Sequence, residues 1–367
     1  MNTQIPRILL IALLALIIAT SACESTSPST AATQLSAPPL ATATQTSREP
    51  EPSPSPVESP TTEPVLEAEP TVPVHPGLRV VYLRQGNLWS WTQTENNVML
   101  TGTGDMTRAR LSGDGQLLAF MRGREAWTVR MDGTDARLLT TQDDEGGALW
   151  FAPDGSLLAV STADHIDVID LENGTVSRVA TYPAIPNGYY PEVVWSADGS
   201  GFKTVIPPNS EKAQAEFLFV FTDGKTASLS QFSMVPPSES SPFISPDGGY
   251  VIFVAKLGDG KESLVLMDSS GATRPCGEPA ESIRAFGWLP DSKHFVYAWE
   301  NQEQTLILIG NITREPPEEI VIKDYELIRW LDEDHYLATQ DDNLYLGDTN
   351  GGEVPIAEDV SDFDFGN

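Results

Sequence analysis

Beyond about residue 77 the chain is written as short apolar runs broken by polar turns, and the same unit recurs along it. RLSGDGQLLAF (110–120), FAPDGSLLAV (151–160), WSADGSGFKTV (195–205), ISPDGGYVIFV (244–254) and WLPDSKHFVYA (288–298) share one grammar, with WLDEDHYLAT (330–339) a degenerate further copy. An apolar strand ends in a turn where Pro presets φ and Gly accepts the left-handed conformation, and a strand of alternating polarity follows. The turn acids Asp114, Asp154, Asp198, Asp247, Asp291 and Glu333 are spaced by 40, 44, 49, 44 and 42 residues, intervals too even for chance. A third strand comes next, as in TVRMD (128–132), DVIDL (167–171), LFVFTD (218–223), LVLMD (264–268) and LYLGD (344–348). A short fourth strand closes the unit, as in RLLT (137–140) and SRVA (177–180). Four strands per roughly 42 residues, with no helical periodicity between them, predict an all-β propeller of antiparallel blades. The lack of crossover helices excludes a parallel βαβ fold.

The ends set the blade count. PGLRVVYLRQGNLWSWTQTENNVMLT (76–101) begins at a second strand, with Pro76-Gly77 in the slot of Asp114-Gly115. The missing first strand lies at the other terminus, in VSDFDFGN (360–367). Joined, the two ends make one complete blade, so residues 77–367 are expected to form a seven-bladed ring without open sheet edges.

The recurring [WF]-S-P-D-G turn, with the later MDGTDARLLT (131–140), resembles the repeats of TolB-type β-propellers, relatives of the WD-repeat class. The resemblance covers essentially all of 77–367. It implies the propeller fold and says little about activity, since such propellers serve as binding platforms, as accessory domains of peptidases and occasionally as enzymes.

Ahead of the repeats the pattern changes twice. MNTQIPR is followed by an uninterrupted apolar run, ILLIALLALIIA (8–19), the layout of a secretory signal. Twelve helical residues rise only about 18 Å, short of a hydrocarbon core of about 30 Å. Thr20-Ser21-Ala22-Cys23 then resembles the bacterial lipobox, which implies that Cys23 is lipidated and begins the mature chain, with 1–22 removed. Residues 24–76 hold 12 Pro, 17 Ser/Thr, seven Glu and no aromatic residue, so they cannot build a core. The stretch from 23 to 76 reads as a disordered tether, with a reach between roughly 40 Å when flexible and roughly 160 Å when extended.

Charge narrows the partners. Twenty-two Lys+Arg against 52 Asp+Glu leave a net −30, which makes nucleic acid and anionic lipid surfaces poor partners. The lipid bilayer is expected to be engaged through the Cys23 lipid instead. The only other cysteine, Cys276, leaves no disulfide scaffold and no cysteine-ligated zinc site. In an oxidising compartment, and with no adjacent His, it reads as a structural or fortuitous thiol rather than a nucleophile.

Candidate chemistry is sparse. The blade-turn aspartates Asp114, Asp154, Asp198, Asp247 and Asp291 read as caps of their own turns, because Asp in such a turn accepts backbone N–H bonds. Phe151, Trp195, Trp288 and Trp330 recur at one blade position and read as inter-blade packing. Asp143-Asp144-Glu145, Asp332-Glu333-Asp334 and Asp341-Asp342 offer oxygens of the kind calcium takes, but none has the alternating spacing that wraps one ion. They read as solvated loops, and Asp259-Gly260 as a hairpin turn. His75 falls in the tether, His294 and His335 in matching second strands, and His165 at the start of a third. No His-x-x-His or His-Glu-x-x-His pair is present, which argues against a zinc hydrolase. No Gly-x-Ser-x-Gly elbow or sialidase Asp-box occurs, and the blades use all 291 residues from 77 to 367, leaving no room for a hydrolase domain.

The expectation is therefore a lipid-anchored protein of the bacterial cell envelope. Its propeller is expected to be a non-catalytic platform for a protein, peptide or glycan, without metal or other cofactor. The rivals are a propeller enzyme of the lactonase or lyase kind, with a site at the channel mouth and calcium or a His/acid pair, and a sensor domain of an envelope complex.

Overall fold

The computed structural model describes residues 75, 77–95, 97–143, 146–185, 189–208, 213–234, 241–313, 315–320, 322–323 and 325–366. Contacts divide the chain into Met1–Val65 and Leu66–Asn367, and every described residue belongs to the second unit. Cys23, the apolar run and the tether up to residue 74 lie outside the described residues, as do Asp144 and Glu145. None of the described residues is helical, and among them no helix is long and apolar enough to cross a membrane.

The strands form seven four-stranded antiparallel sheets arranged as the blades of a ring. The first blade takes β1 (Arg79–Arg84), β2 (Asn87–Thr92) and β3 (Val98–Met99). The second holds β4 (Met106–Leu111), β5 (Leu117–Arg122), β6 (Glu125–Arg130) and β7 (Arg137–Thr141). The third holds β8 (Ala148–Phe151), β9 (Leu157–Ser161), β10 (His165–Asp170) and β11 (Val176–Thr181). The fourth holds β12 (Val194–Trp195), β13 (Gly201–Ile206), β14 (Ala215–Phe221) and β15 (Thr226–Phe232). The fifth holds β16 (Phe243–Ile244), β17 (Tyr250–Lys256), β18 (Glu262–Asp268) and β19 (Thr273–Ala280). The sixth holds β20 (Ser282–Trp288), β21 (His294–Glu300), β22 (Thr305–Asn311) and β23 (Glu318–Glu319). The seventh holds β24 (Leu327–Trp330), β25 (His335–Gln340), β26 (Asn343–Asp348) and β27 (Glu353–Ala357). The last strand, β28 (Val360–Gly366), returns to the first blade as its innermost strand, pairing Val80 with Phe365 and Tyr82 with Phe363.

Apolar packing follows the ring. Second strands read buried at nearly every position, as in Val80–Leu83 and Leu337–Ala338, because both faces of each blade are covered by neighbouring blades. Each blade junction carries its own cluster of buried side chains. Leu88, Leu118 and Phe120 fill the first junction, and Ile252, Leu266, Phe295 and Tyr297 the one between the fifth and sixth blades. Leu78, Val80, Tyr82 and Phe363 meet Leu337, Leu344 and Leu346 across the seam between the seventh blade and the first. Two of the recurring tryptophans tie neighbouring inner strands: Trp195 Nε1 donates to Trp150 O (3.2 Å) and Trp288 Nε1 to Phe243 O (3.0 Å).

The turns between first and second strands obey backbone sterics. Gly115, Gly155, Gly199 and Gly248 sit at φ between +67° and +71°, where a Cβ would be strained. In the sixth blade Ser292 takes the same left-handed position at φ +58°. The seventh blade departs from the sequence expectation. Its turn acid is Asp332, whose Oδ1 accepts N–H bonds from Asp334 and His335 (both 2.8 Å), and not Glu333. That turn is one residue shorter than its counterpart, so a spacing counted along the chain lands one position late.

Candidate binding site

The turn aspartates face their own loops. Asp114 Oδ1 accepts from Ser112 Oγ (2.7 Å) and Gln116 N (3.0 Å), and Asp154 Oδ1 from Ser156 N (3.0 Å) and Ser156 Oγ (2.8 Å). Asp247 Oδ1 accepts from Ser245 Oγ (2.6 Å) and Gly249 N (2.8 Å). Asp198 accepts from the hydroxyls of Ser196 and Ser200 and from Ser200 N, which holds its carboxyl down at about 2. Asp291 accepts from Lys293 N (2.8 Å) and His294 N (3.0 Å), with His294 Nδ1 2.6 Å from its other oxygen. These five carboxylates are spread over five blades, and hydrogen bonding within the turn accounts for each.

In the centre of the ring, inner-strand side chains of several blades close on one another. Asp362 and Asp364 of β28 accept backbone N–H bonds from Ala109 (3.0 Å) and Leu111 (2.9 Å) of the next blade. Arg110 Nη1 pairs with Asp362 Oδ2 at 2.9 Å, and Arg329 Nη1 with Asp364 Oδ1 at 3.1 Å. Burial pushes the Asp362 carboxyl up, but Arg110, Arg329 and Arg108 together outweigh it and hold the carboxyl below its usual value. Glu192, which precedes β12, is pushed up to about 7 by burial, and the bond it accepts from Ile244 N (3.1 Å), with the charge of Arg329, offsets only part of that. Above this network a recess of about 370 Å³ is lined by Thr107, Arg108, Tyr190, Ser361 and Asp362. Arg108 stands at φ +56° in a β-bulge, with its guanidinium 5.8 Å from the Tyr190 ring centre.

A larger cavity lies elsewhere, in the cleft between the fifth and sixth blades. It encloses about 820 Å³ between β19 and the β21–β22 pair, with Cys276, Tyr297, Trp299, Leu306, Leu308 and Pro317 among its walls. Blades are wedges that diverge outward, and here the sixth blade's outer strand, β23, is only two residues long and leaves β22 partly uncovered. Tyr297 is 1% exposed, and its hydroxyl is buried without a hydrogen-bond partner among the described residues. Gly277, at φ +77°, keeps the space beside that hydroxyl open: a Cβ there would lie 2.9 Å from Tyr297 Oη. Burial raises the Cys276 thiol to about 11, so it stays protonated at neutral pH, and Arg274 Nη1 lies 3.7 Å from its sulfur. Trp299 Nε1 donates to Glu278 O (3.1 Å), which fixes the indole at the rim. Cys276 was the only residue of this cleft that stood out in the sequence. The others lie in two blades and carry no shared motif.

The histidines have unequal surroundings. His165 is buried in a network with Asp164 and Thr162 at Nδ1 (2.5 and 2.9 Å) and with Gln142 and Arg178 at Nε2 (3.0 and 2.9 Å). His75 is packed on the propeller, unlike the tether position expected of it, with its ring 4.4 Å from that of His335. One ligand atom each from His75, Asp332 and His335 lies within 4.8 Å of the others, the one group of described residues with the composition to hold a metal ion.

The solved structures similar to this chain include TolB proteins. TolB from Acinetobacter baumannii is similar with a TM-score of 0.46 and 14% identity, over 79% of this chain and 67% of that one. A putative TolB from Agrobacterium tumefaciens gives 0.40 and 14%, over 66% and 87%. Kuenenia stuttgartiensis hydrazine synthase gives 0.47 and 14%, over 67% and 77%. No protein-family model and no curated protein matches the chain.

Proposed function

We propose that the chain is an extracytoplasmic lipoprotein whose propeller is a non-catalytic binding platform for a protein, peptide or glycan. In this reading a lipid on Cys23 holds it on the outer side of a bacterial membrane. The observation that carries binding is the cleft between the fifth and sixth blades: about 820 Å³ of largely apolar wall around a buried Tyr297 hydroxyl that lacks a partner among the described residues. That volume falls within the range of ligand pockets, and a largely apolar wall with polar groups such as Gln304 and Asn311 along it suits a ligand that is itself partly apolar. The ring supports it, since most of the lining belongs to strands β19, β21 and β22 and needs no ordering on binding.

The acids that a channel-mouth enzyme would draw on are engaged elsewhere. Asp362 and Asp364 serve Arg110, Arg329 and two backbone N–H groups, and Glu192 serves Ile244 N. This favours a platform over a lactonase or lyase. The envelope location rests on the apolar run and the Thr20-Ser21-Ala22-Cys23 segment, together with a charge of −30 that disfavours nucleic acid.

The test is crosslinked capture from the native envelope with three full-length chains: the parent, Trp299→Ala and Leu306→Arg. The parent is expected to retain a partner that both variants lose, while all three melt alike. Equal capture by the three chains would place binding away from the cleft.

A further inference from the structure

We propose that His75, Asp332 and His335 form a binding site for a divalent transition-metal ion of the zinc class. His75 and His335 are 260 residues apart in the chain, and ring closure brings the start of the first blade against the turn of the seventh. His75 Nε2 lies 3.7 Å from Asp332 Oδ2 and is buried without a hydrogen-bond partner among the described residues. His335 Nδ1 lies 2.9 and 3.0 Å from the two oxygens of Asp332. Ligands about 2.0–2.2 Å from a tetrahedral zinc stand roughly 3.3–3.5 Å from one another, so small shifts of these side chains would make a three-ligand site.

The donor set decides the class of ion. Two imidazole nitrogens and one carboxylate oxygen suit zinc and its neighbours, whereas calcium and magnesium take mostly oxygen. The metal takes the place between His335 Nδ1 and Asp332, the neutral ring binding as its Nε2–H tautomer, and any proton displaced from Nδ1 passes to the buffer. The surroundings hold the ligands in place. His75 N donates to Gln93 Oε1 (2.7 Å), His75 O accepts from Leu78 N (3.1 Å), and Asp332 Oδ1 is oriented by two backbone N–H groups at 2.8 Å. Side-chain exposures of 22% for His75, 44% for Asp332 and 14% for His335 leave a path for the ion and a fourth position for water.

The protein carries its own control one blade earlier. Asp291 and His294 make the same Asp–His contact, at 2.6 Å, and no other metal-ligating group joins them among the described residues. If the Asp–His turn alone bound metal, both blades would do so. If the third ligand matters, only the seventh blade does.

The experiment is zinc titration by calorimetry of the untagged full-length chain in detergent, stripped of metal beforehand. One zinc per chain is expected, with affinity about tenfold or more weaker in His75→Ala and in His335→Ala and unchanged in His294→Ala. Cobalt should compete and give a visible absorption band, and calcium should not compete. Among the described residues the His75 ring donates no hydrogen bond to the fold, so His75→Ala should melt like the metal-free parent. No saturable zinc binding by the parent, or equal binding by His75→Ala, would overturn the site.

Discussion

Glu192 shows what a position at the centre of a ring does to an ordinary side chain. Protein closes around it on several blades, and burial raises its carboxyl from 4.5 to about 7. The folded state therefore keeps a proton that the unfolded chain gives up, so the stabilisation is complete below about pH 4.5. It is lost as the pH rises through 7. Glu192→Gln keeps the shape and an acceptor for Ile244 N but cannot ionise. Relative to this variant the parent should lose about 1–3 kcal/mol between pH 5 and pH 8, after discounting for water in the channel. Melting temperatures of both proteins at the two pH values check this, and parallel curves would count against it. Asp362 has the opposite sign. Its carboxyl is held low by three arginines, so its contribution is present above the usual carboxylate value and fades on acidification.

At the scale of the element, β28 carries the argument. It supplies the inner strand of the first blade, places Phe363 and Val360 in the seam cluster, and offers Asp362 and Asp364 to the second blade. Closing so long a loop costs entropy only logarithmically, whereas an open ring would expose an unpaired strand edge and a core seam. Truncation before Val360 should therefore lower the melting temperature sharply or make the protein aggregate. It would also leave Arg110 and Arg329 buried without the carboxylates they pair with, a further cost. The milder change Phe363→Ala should cost about 3–5 kcal/mol, read by denaturant unfolding. A truncated chain that melts like the parent would show that the closing strand is dispensable.

For the whole molecule, anchoring and folding are separable. The propeller closes on itself within the described residues, and the proposed lipid sits ahead of it on Cys23. Cys23→Ser should release a folded protein to the soluble fraction or stall the precursor, because a serine offers no thiol for the lipid. Fractionation with mass spectrometry of the N-terminus checks it. Retention in the membrane with residues 8–19 still attached would mean that the apolar run is the anchor.

The seven-bladed ring and its composite first blade were legible in the chain itself, because both depend on local signals. Alternating strands, Asp-Gly turns and incomplete blades at the two ends are patterns within some 40 residues, and each is enforced by backbone sterics or by the need to bury an apolar face. The seventh-blade turn acid differs by one residue from the spacing along the chain, because the turn is shorter and Asp332-Glu333-Asp334 offers three acids in a row, of which only hydrogen-bond geometry selects Asp332. The sites were not legible, for a different reason. Tyr297 and Gly277 come from neighbouring blades, Asp362 meets Arg110 from 252 residues away, and His75 meets His335 across the closed seam. No spacing rule along a chain encodes such meetings. Repetition in sequence determined how each blade folds, while the packing of one blade on another decided which side chains share a cavity, a charge network or the proposed ion site.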